Sequence, residues 1–138
     1  MSAVSTELGL RRAMLAVAVL ISVGTLAELL LIGHTESPVQ LVPLFMGVLA
    51  IGGAVALWLA PSRKTALGVR VLTGALLAGA LLGVWEHLEH NYAFEAEIRP
   101  TAEPRELAVE ALLGANPLLA PGAFAAAALL LGAATWRS

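Results

Sequence analysis

The sequence predicts an all-α membrane protein: a four-transmembrane-helix bundle, up-down-up-down, with an outer cap that holds a short interfacial helix. Three observations predict it. Of the 138 residues, 59% are hydrophobic and only 13% are charged, with a mean hydropathy of +0.85. A soluble domain of this size carries more charge on its surface. The apolar residues gather into long runs, each close to the roughly 20 residues that cross a hydrocarbon core about 30 Å thick. Short turns bearing proline, glycine or charge separate the runs, with one long connection near the end.

Residues 1–12 are a polar start that closes on Arg11-Arg12, and the first span covers about residues 13–33. His34-Thr35-Glu36-Ser37-Pro38 reads as a tight turn. The second span covers about 39–60, with Pro43 near enough to its start to be tolerated. Pro61-Ser62-Arg63-Lys64 forms the next turn. The third span covers about 65–90 and ends in Trp85-Glu86-His87-Leu88-Glu89-His90-Asn91. Ala75, Gly79 and Gly83 form a small-residue track up one face. Small residues let helix backbones approach in lipid, so Gly79 and Gly83 are expected against another helix.

Residues 91–116 are the outer connection. Tyr92, Phe94, Ala96 and Ile98 alternate with Ala93, Glu95, Glu97 and Arg99, a period of two that suits an extended segment. Glu86, His90 and Phe94 are spaced by four, which suits continuation of the third helix to about Ile98. The sequence leaves both readings open. Residues 104–114 read as a short helix, with Pro104 in its first turn and Gly114 as a stop. Its stripe of Leu107, Ala108, Ala111 and Leu112 predicts a helix lying flat in the interface. Asn116-Pro117 then turns the chain into a fourth span, about 117–136. The whole chain, 1–138, is a single integral membrane domain.

Basic residues set the orientation. Arg11, Arg12, Arg63, Lys64, Arg70 and Arg137 fall on one side of the expected membrane, Arg99 and Arg105 on the other. Lysine and arginine stay inside, so both termini are expected in the cytoplasm and the protein in the cytoplasmic (inner) membrane. Trp58 and Trp136 would mark the inner interface, Trp85 and Tyr92 the outer one. Arg70 lies about a turn inside and is expected to snorkel to the inner headgroups.

The net charge of −2 gives no footing for nucleic-acid binding, and the absence of cysteine excludes disulfides and thiolate metal sites. The chemistry-bearing residues are elsewhere. Glu28 lies about 9 Å below His34 along the first helix, at 1.5 Å per residue. A carboxylate there is costly unless it is neutral, paired or wet. It is therefore expected to face the bundle interior. His87 and His90 are three apart, Glu86 and His90 four apart, so all lie on neighbouring positions of one helix face. Imidazole with carboxylate suits a divalent metal. His34 and Glu36 end the first span at the same depth. If helices one and three touch, Glu28, His34, Glu86, His87 and His90 form a candidate metal site. Glu36, Asn91, Tyr92, Phe94, Glu95, Glu97 and Asn116 are then candidate pocket and cap residues. The opposing reading is an ordinary polar rim where a helix leaves the bilayer. A bis-histidine haem is disfavoured, because the histidines sit at the rim with few aromatics. No nucleophile–base constellation and no phosphate-binding glycine loop is visible, which argues against an enzyme.

At His90-Asn91 through Phe94-Glu95 and Glu97, then Glu110-Ala111-Leu112 through Gly114-Ala115, Pro117 and Leu119-Ala120-Pro121-Gly122, the chain resembles a group of uncharacterised small bacterial four-span membrane proteins. The resemblance is strongest over residues 86–122. It implies the four-span fold and no activity.

Three function classes remain: a binding protein for a divalent metal or small ligand, an accessory or structural subunit of a larger membrane complex, and a small transporter or redox component. Expected partners are the lipid bilayer and other membrane subunits or further copies of the chain.

Overall fold

Helices account for most of the chain, and their ends are written in its turn residues. The computed structural model describes residues 3–136, with side chains from Ser5 onward. Arg137, which entered the orientation argument, lies outside the described residues. Among the described residues there are five helices and no strand: α1 (Ala3–Leu31), α2 (Pro38–Leu59), α3 (Arg63–Ile98), α4 (Pro104–Ala111) and α5 (Gly122–Ala134). Helices α1, α2 and α3 are long and apolar enough to cross a membrane; α5 is apolar but has only 13 residues.

The polar start expected over residues 1–12 is not separate from the first span. It continues as helix from Ala3, which makes α1 29 residues long. Gly33 ends α1 with φ of +69°, a backbone conformation that costs glycine least. The Gly33 N–H donates to the Leu30 carbonyl and the His34 N–H to the Leu29 carbonyl, the paired bonds of a Schellman end. Ser37 then starts α2. Its hydroxyl accepts from the Gln40 N–H, and the Gln40 side chain accepts in return from the Ser37 N–H. Pro38 occupies the first turn, where its missing N–H costs nothing. Ser62 caps α3 in the same way through the Thr65 N–H.

α1 packs on α2 and α5; α3 packs on α2, α5 and α4; α2 and α5 also meet. No contact joins α1 to α3 among the described residues. The core is mostly leucine and alanine: Leu15, Ala18, Ala50, Ala54, Leu57, Leu76, Ala80, Phe124, Ala127, Ala128 and Leu131. Small residues set the spacing. A Cβ on Gly79 would lie 2.5 Å from Met46 Sδ on α2, and one on Gly83 would lie 2.9 Å from Pro121 Cγ. Gly79 therefore faces another helix at close range, as the sequence predicts, while Gly83 faces Pro121 in the turn that enters α5. Ala75 is exposed and off this seam. The inward line of α3 is instead Ala66, Val69, Thr73, Leu76, Ala80, Gly83, His87 and Asn91, all buried or half-buried and spaced by three or four.

Two boundaries differ from the sequence reading. α3 does not stop at residue 90 but runs on to Ile98, so the extended alternative for 92–98 is excluded. Its 36 residues reach about 54 Å, well beyond a hydrocarbon core of about 30 Å. The fourth apolar run is α-helical only over Gly122–Ala134, about 20 Å. Residues 117–122 approach it as successive tight turns, with Ala120 N–H to Pro117 O and Gly122 N–H to Leu119 O. Pro117 and Pro121 explain this, because each lacks the N–H of a regular ladder.

Candidate functional site

α3 overhangs the other helices at its C-terminal end, and α4 returns along the overhang. The short turn Arg99–Glu103 links them, helped by Ala102 N–H to Arg99 O. Leu107 and Ala111 are buried against α3, while Ala108 and Leu112 of the expected stripe are exposed. The helix stops at Ala111 rather than at 114. It packs along α3 as the second arm of a helical hairpin.

Asn91 fastens this hairpin. It is only 2% exposed, and its amide is fully used. Nδ2 donates to the Ala111 carbonyl at 3.0 Å and to the Asn116 carbonyl at 2.8 Å. Oδ1 accepts from the Asn116 N–H at 2.9 Å and the Asn116 amide Nδ2 at 3.1 Å. Two donors and two acceptor positions are all an asparagine side chain has. Gly114 makes room, since a Cβ there would strike the Asn91 amide. Arg99 adds an ion pair with Glu95 at 3.1 Å and a looser one with Glu110 at 4.0 Å. The Glu95 side chain is only 16% exposed, so the first pair is partly buried, whereas Glu110 is exposed and its looser pair contributes little.

One turn below Asn91, His87 Nδ1–H donates to the Pro117 carbonyl at 2.8 Å. That carbonyl belongs to the turn segment entering α5. His90 Nδ1–H donates to the Glu86 carbonyl of its own helix at 2.8 Å. In both imidazoles Nε2 makes no hydrogen bond among the described residues. His87 is half-buried and His90 is exposed. His34, half-buried in the turn after α1, has a pKa held below the ordinary histidine value. Burial is the larger cause, and the nearby His87 imidazole lowers it further.

The remaining candidates do not join them. Glu28 is exposed on α1 and, among the described residues, its side chain has no hydrogen-bond or ion-pair partner, the reverse of the interior position expected of it. Glu86 is half-buried; Glu36, Tyr92, Phe94, Glu97 and Asn116 are exposed; Glu95 is half-buried and committed to Arg99. Among the described residues, no group of three or more His, Asp or Glu side chains converges to hold a metal. Of the candidate set Glu28, His34, Glu86, His87 and His90, the structure brings the His34 and His87 imidazoles near one another, with no group of three among the described residues. The physical reason is the packing: α1 and α3 lie on opposite sides of α2 and α5, and Glu28 points outward.

Sequence reasoning also missed a polar clasp at the opposite end. Arg70 does not simply extend toward the expected headgroups. Its Nε donates to Thr135 Oγ1 at 2.9 Å and its terminal nitrogen to the Thr135 carbonyl at 2.8 Å, capping the end of α5. A cation there also meets the negative end of the helix dipole. Nearby on α1, Arg11 donates to the Leu57 carbonyl near the end of α2 at 3.4 Å, and Arg12 stacks 5.6 Å from the Trp58 ring centre. The only sequence signal was that an arginine inside an apolar run needs an acceptor.

The fold and cap define the class: an all-helical protein with three helices long and apolar enough to cross a membrane, carrying a clamped helical hairpin at one end. Comparison with known protein families, curated proteins and solved structures finds no match.

Proposed function

We propose that this chain is an integral membrane subunit of a larger assembly, and that its α3–α4 hairpin is the outer docking element. In this reading α1, α2, α3 and the 117–136 segment form a four-span up-down-up-down bundle with both termini in the cytoplasm. Two observations support the fourth crossing. Arg70 meets Thr135, Gly83 meets Pro121 and His87 meets Pro117, so the last segment runs beside α3 from Arg70 to His87. That stretch of α3 is about 26 Å long, close to a hydrocarbon thickness. The basic residues at the Arg11 end support the orientation.

The single observation that carries the docking role is the Asn91 clamp. It spends a buried, saturated amide on ordering a hairpin that projects past the packed helices. The ordered cap leaves Phe94, Ile98, Val109, Leu112 and Leu113 exposed, Leu113 by 82%. Exposed apolar side chains on an ordered cap are surface that a partner would cover. Its surroundings carry Glu86, Glu89, Glu95, Glu97, Glu103, Glu106 and Glu110 against only Arg99 and Arg105. The partner surface is therefore basic around an apolar centre. The test is quantitative co-purification from native membranes, comparing the wild type with a Leu112→Glu, Leu113→Glu double variant and with Glu106→Lys, Glu110→Lys. Loss of one defined partner in both supports the proposal. A chain that purifies alone, or with the same partners whatever the substitution, refutes it.

The metal reading keeps one specific support. His87 and His90 both donate Nδ1–H to backbone carbonyls and leave Nε2 free, the arrangement that orients ligand histidines. Saturable zinc or copper(II) binding that disappears in His87→Ala, His90→Ala would favour it over docking.

A further inference from the structure

The groove between α1 and α2 carries at one end a cation whose hydrogen-bond donors the fold does not use. Leu15, Ala16 and Val19 of α1 and Ala54, Val55 and Trp58 of α2 line this groove, whose volume is about 400 Å³. It is apolar along its length and open at Ala16, Val55 and Trp58, which are exposed. Arg12 stands one turn below Leu15 and Ala16 on α1, so it sits at the Trp58 end of the groove. Its guanidinium lies 5.6 Å from the Trp58 ring centre. Among the described residues no hydrogen bond or ion pair engages that guanidinium. Arg11 and Arg70, by contrast, are committed to the Leu57 carbonyl and to Thr135.

We propose that this groove holds one acyl chain of an anionic glycerophospholipid, with the lipid phosphate on Arg12. Charge selects the occupant. α2 and the turn after it contain no acidic residue, and that turn adds Arg63 and Lys64. A zwitterionic headgroup would bring its own cation to this basic end, and an anionic one does not. Arginine presents a rigid fork of donors that matches phosphate. Tryptophan rings favour the headgroup depth at which that phosphate lies. From Arg12 to Val19 α1 rises about 10 Å, so a chain descending from the phosphate follows the groove along its length. The groove between α1 and α5 is the contrast. Its volume is similar, about 430 Å³, but Glu7 stands beside Arg11 in its lining.

The inference rests on the chain crossing the bilayer with its Arg12 end in the inner leaflet, where anionic lipids concentrate, and not on the docking role of the cap. Tryptophan fluorescence reads the groove directly. Full-length protein with Trp85→Phe and Trp136→Phe keeps Trp58 as its reporter; Trp58→Phe with Trp85→Phe keeps Trp136, which borders the other groove. Each is reconstituted in phosphatidylcholine vesicles in which either phosphatidylglycerol or phosphatidylcholine carries brominated acyl chains, which quench on contact. The ratio of the two binding constants should be about fivefold at Trp58, the effect of one arginine on an anionic lipid at the membrane surface, and closer to one at Trp136. Arg12→Gln should abolish the Trp58 preference, whereas Arg63→Gln, Lys64→Gln should reduce it less. Ala16→Leu fills the groove without changing charge and should lower the ratio as well. Flotation and circular dichroism check insertion and folding. Equal ratios at the two tryptophans overturn the inference. So does a Trp58 ratio that survives Arg12→Gln, that falls as far in Arg63→Gln, Lys64→Gln, or that ignores Ala16→Leu. A Trp58 shielded from both lipids shows protein in the groove and overturns it too. Protein that fails to float with the vesicles instead sinks the membrane reading beneath it.

Discussion

Asn91→Ala is the most informative perturbation of the cap. The substitution removes four hydrogen bonds, from Nδ2 to the Ala111 and Asn116 carbonyls and to Oδ1 from two Asn116 donors. The bond to Ala111 is buried and those to Asn116 are only partly so, since Asn116 is exposed and water can replace part of what it loses. A net loss near 1 kcal/mol for each bond to a buried or half-buried group, less this replacement, gives about 2–3 kcal/mol. Very little of that should reach the packed helices, because Asn91 touches only the hairpin and its exit loop. At about 1.4 kcal/mol per factor of ten, local opening of the cap should rise roughly 30- to 150-fold. Amide hydrogen exchange of residues 100–116 measures this directly, with α1 and α2 as internal standards. Asn91→Asp should open the cap further, because a carboxylate would face the same two carbonyl oxygens with no donor. Protection unchanged over 100–116, or lost equally in α1 and α2, would show that Asn91 is not a local clamp.

Three further outcomes are expected. Gly83→Ala should lower stability in detergent by about 1–3 kcal/mol, because the new methyl meets the rigid Pro121 ring, whereas Gly79→Ala meets the flexible Met46 thioether and should cost less; equal thermal midpoints for the two would contradict this. Arg70→Leu strips the cap from α5 and should cost about 1–3 kcal/mol, with Arg70→Lys only partly restoring it because the two-bond fork to Thr135 is lost; chemical denaturation in micelles reads both. The depressed His34 pKa means that the unfolded chain takes up its proton first, so stability contributed above the ordinary value of about 6.5 is lost as pH falls toward the folded pKa. The thermal midpoint should therefore drop between pH 7.5 and 5, and His34→Gln should flatten part of that drop; an identical slope in the variant would exclude His34 as its source.

The one-dimensional features of this protein were legible because they depend on local chemistry. The apolar runs have the length of a bilayer crossing, and Ser37-Pro38, Ser62 and Pro104 mark helix starts through the orphan N–H groups that any helix must satisfy. Gly79 and Gly83 announced close approach because they lack a side chain. The end of α3 was ambiguous, since the residues from Tyr92 to Ile98 satisfy periods of two and four alike; packing of α4 along the overhang accompanies the helical choice. The candidate site was legible only in part, for a different reason. Spacing along one helix shows which side chains share a face, but not which helix that face meets. Tertiary packing set α1 and α3 apart, turned Glu28 outward and gave Asn91, named only as a cap residue, the central hydrogen-bonding role. The sequence by itself determined where helices form and which of them suit a membrane, because backbone satisfaction and transfer from water are properties of a segment. Only the tertiary structure decided which polar groups meet, because that depends on the order of helices around the core, and the hydrophobic effect that drives their burial has no direction.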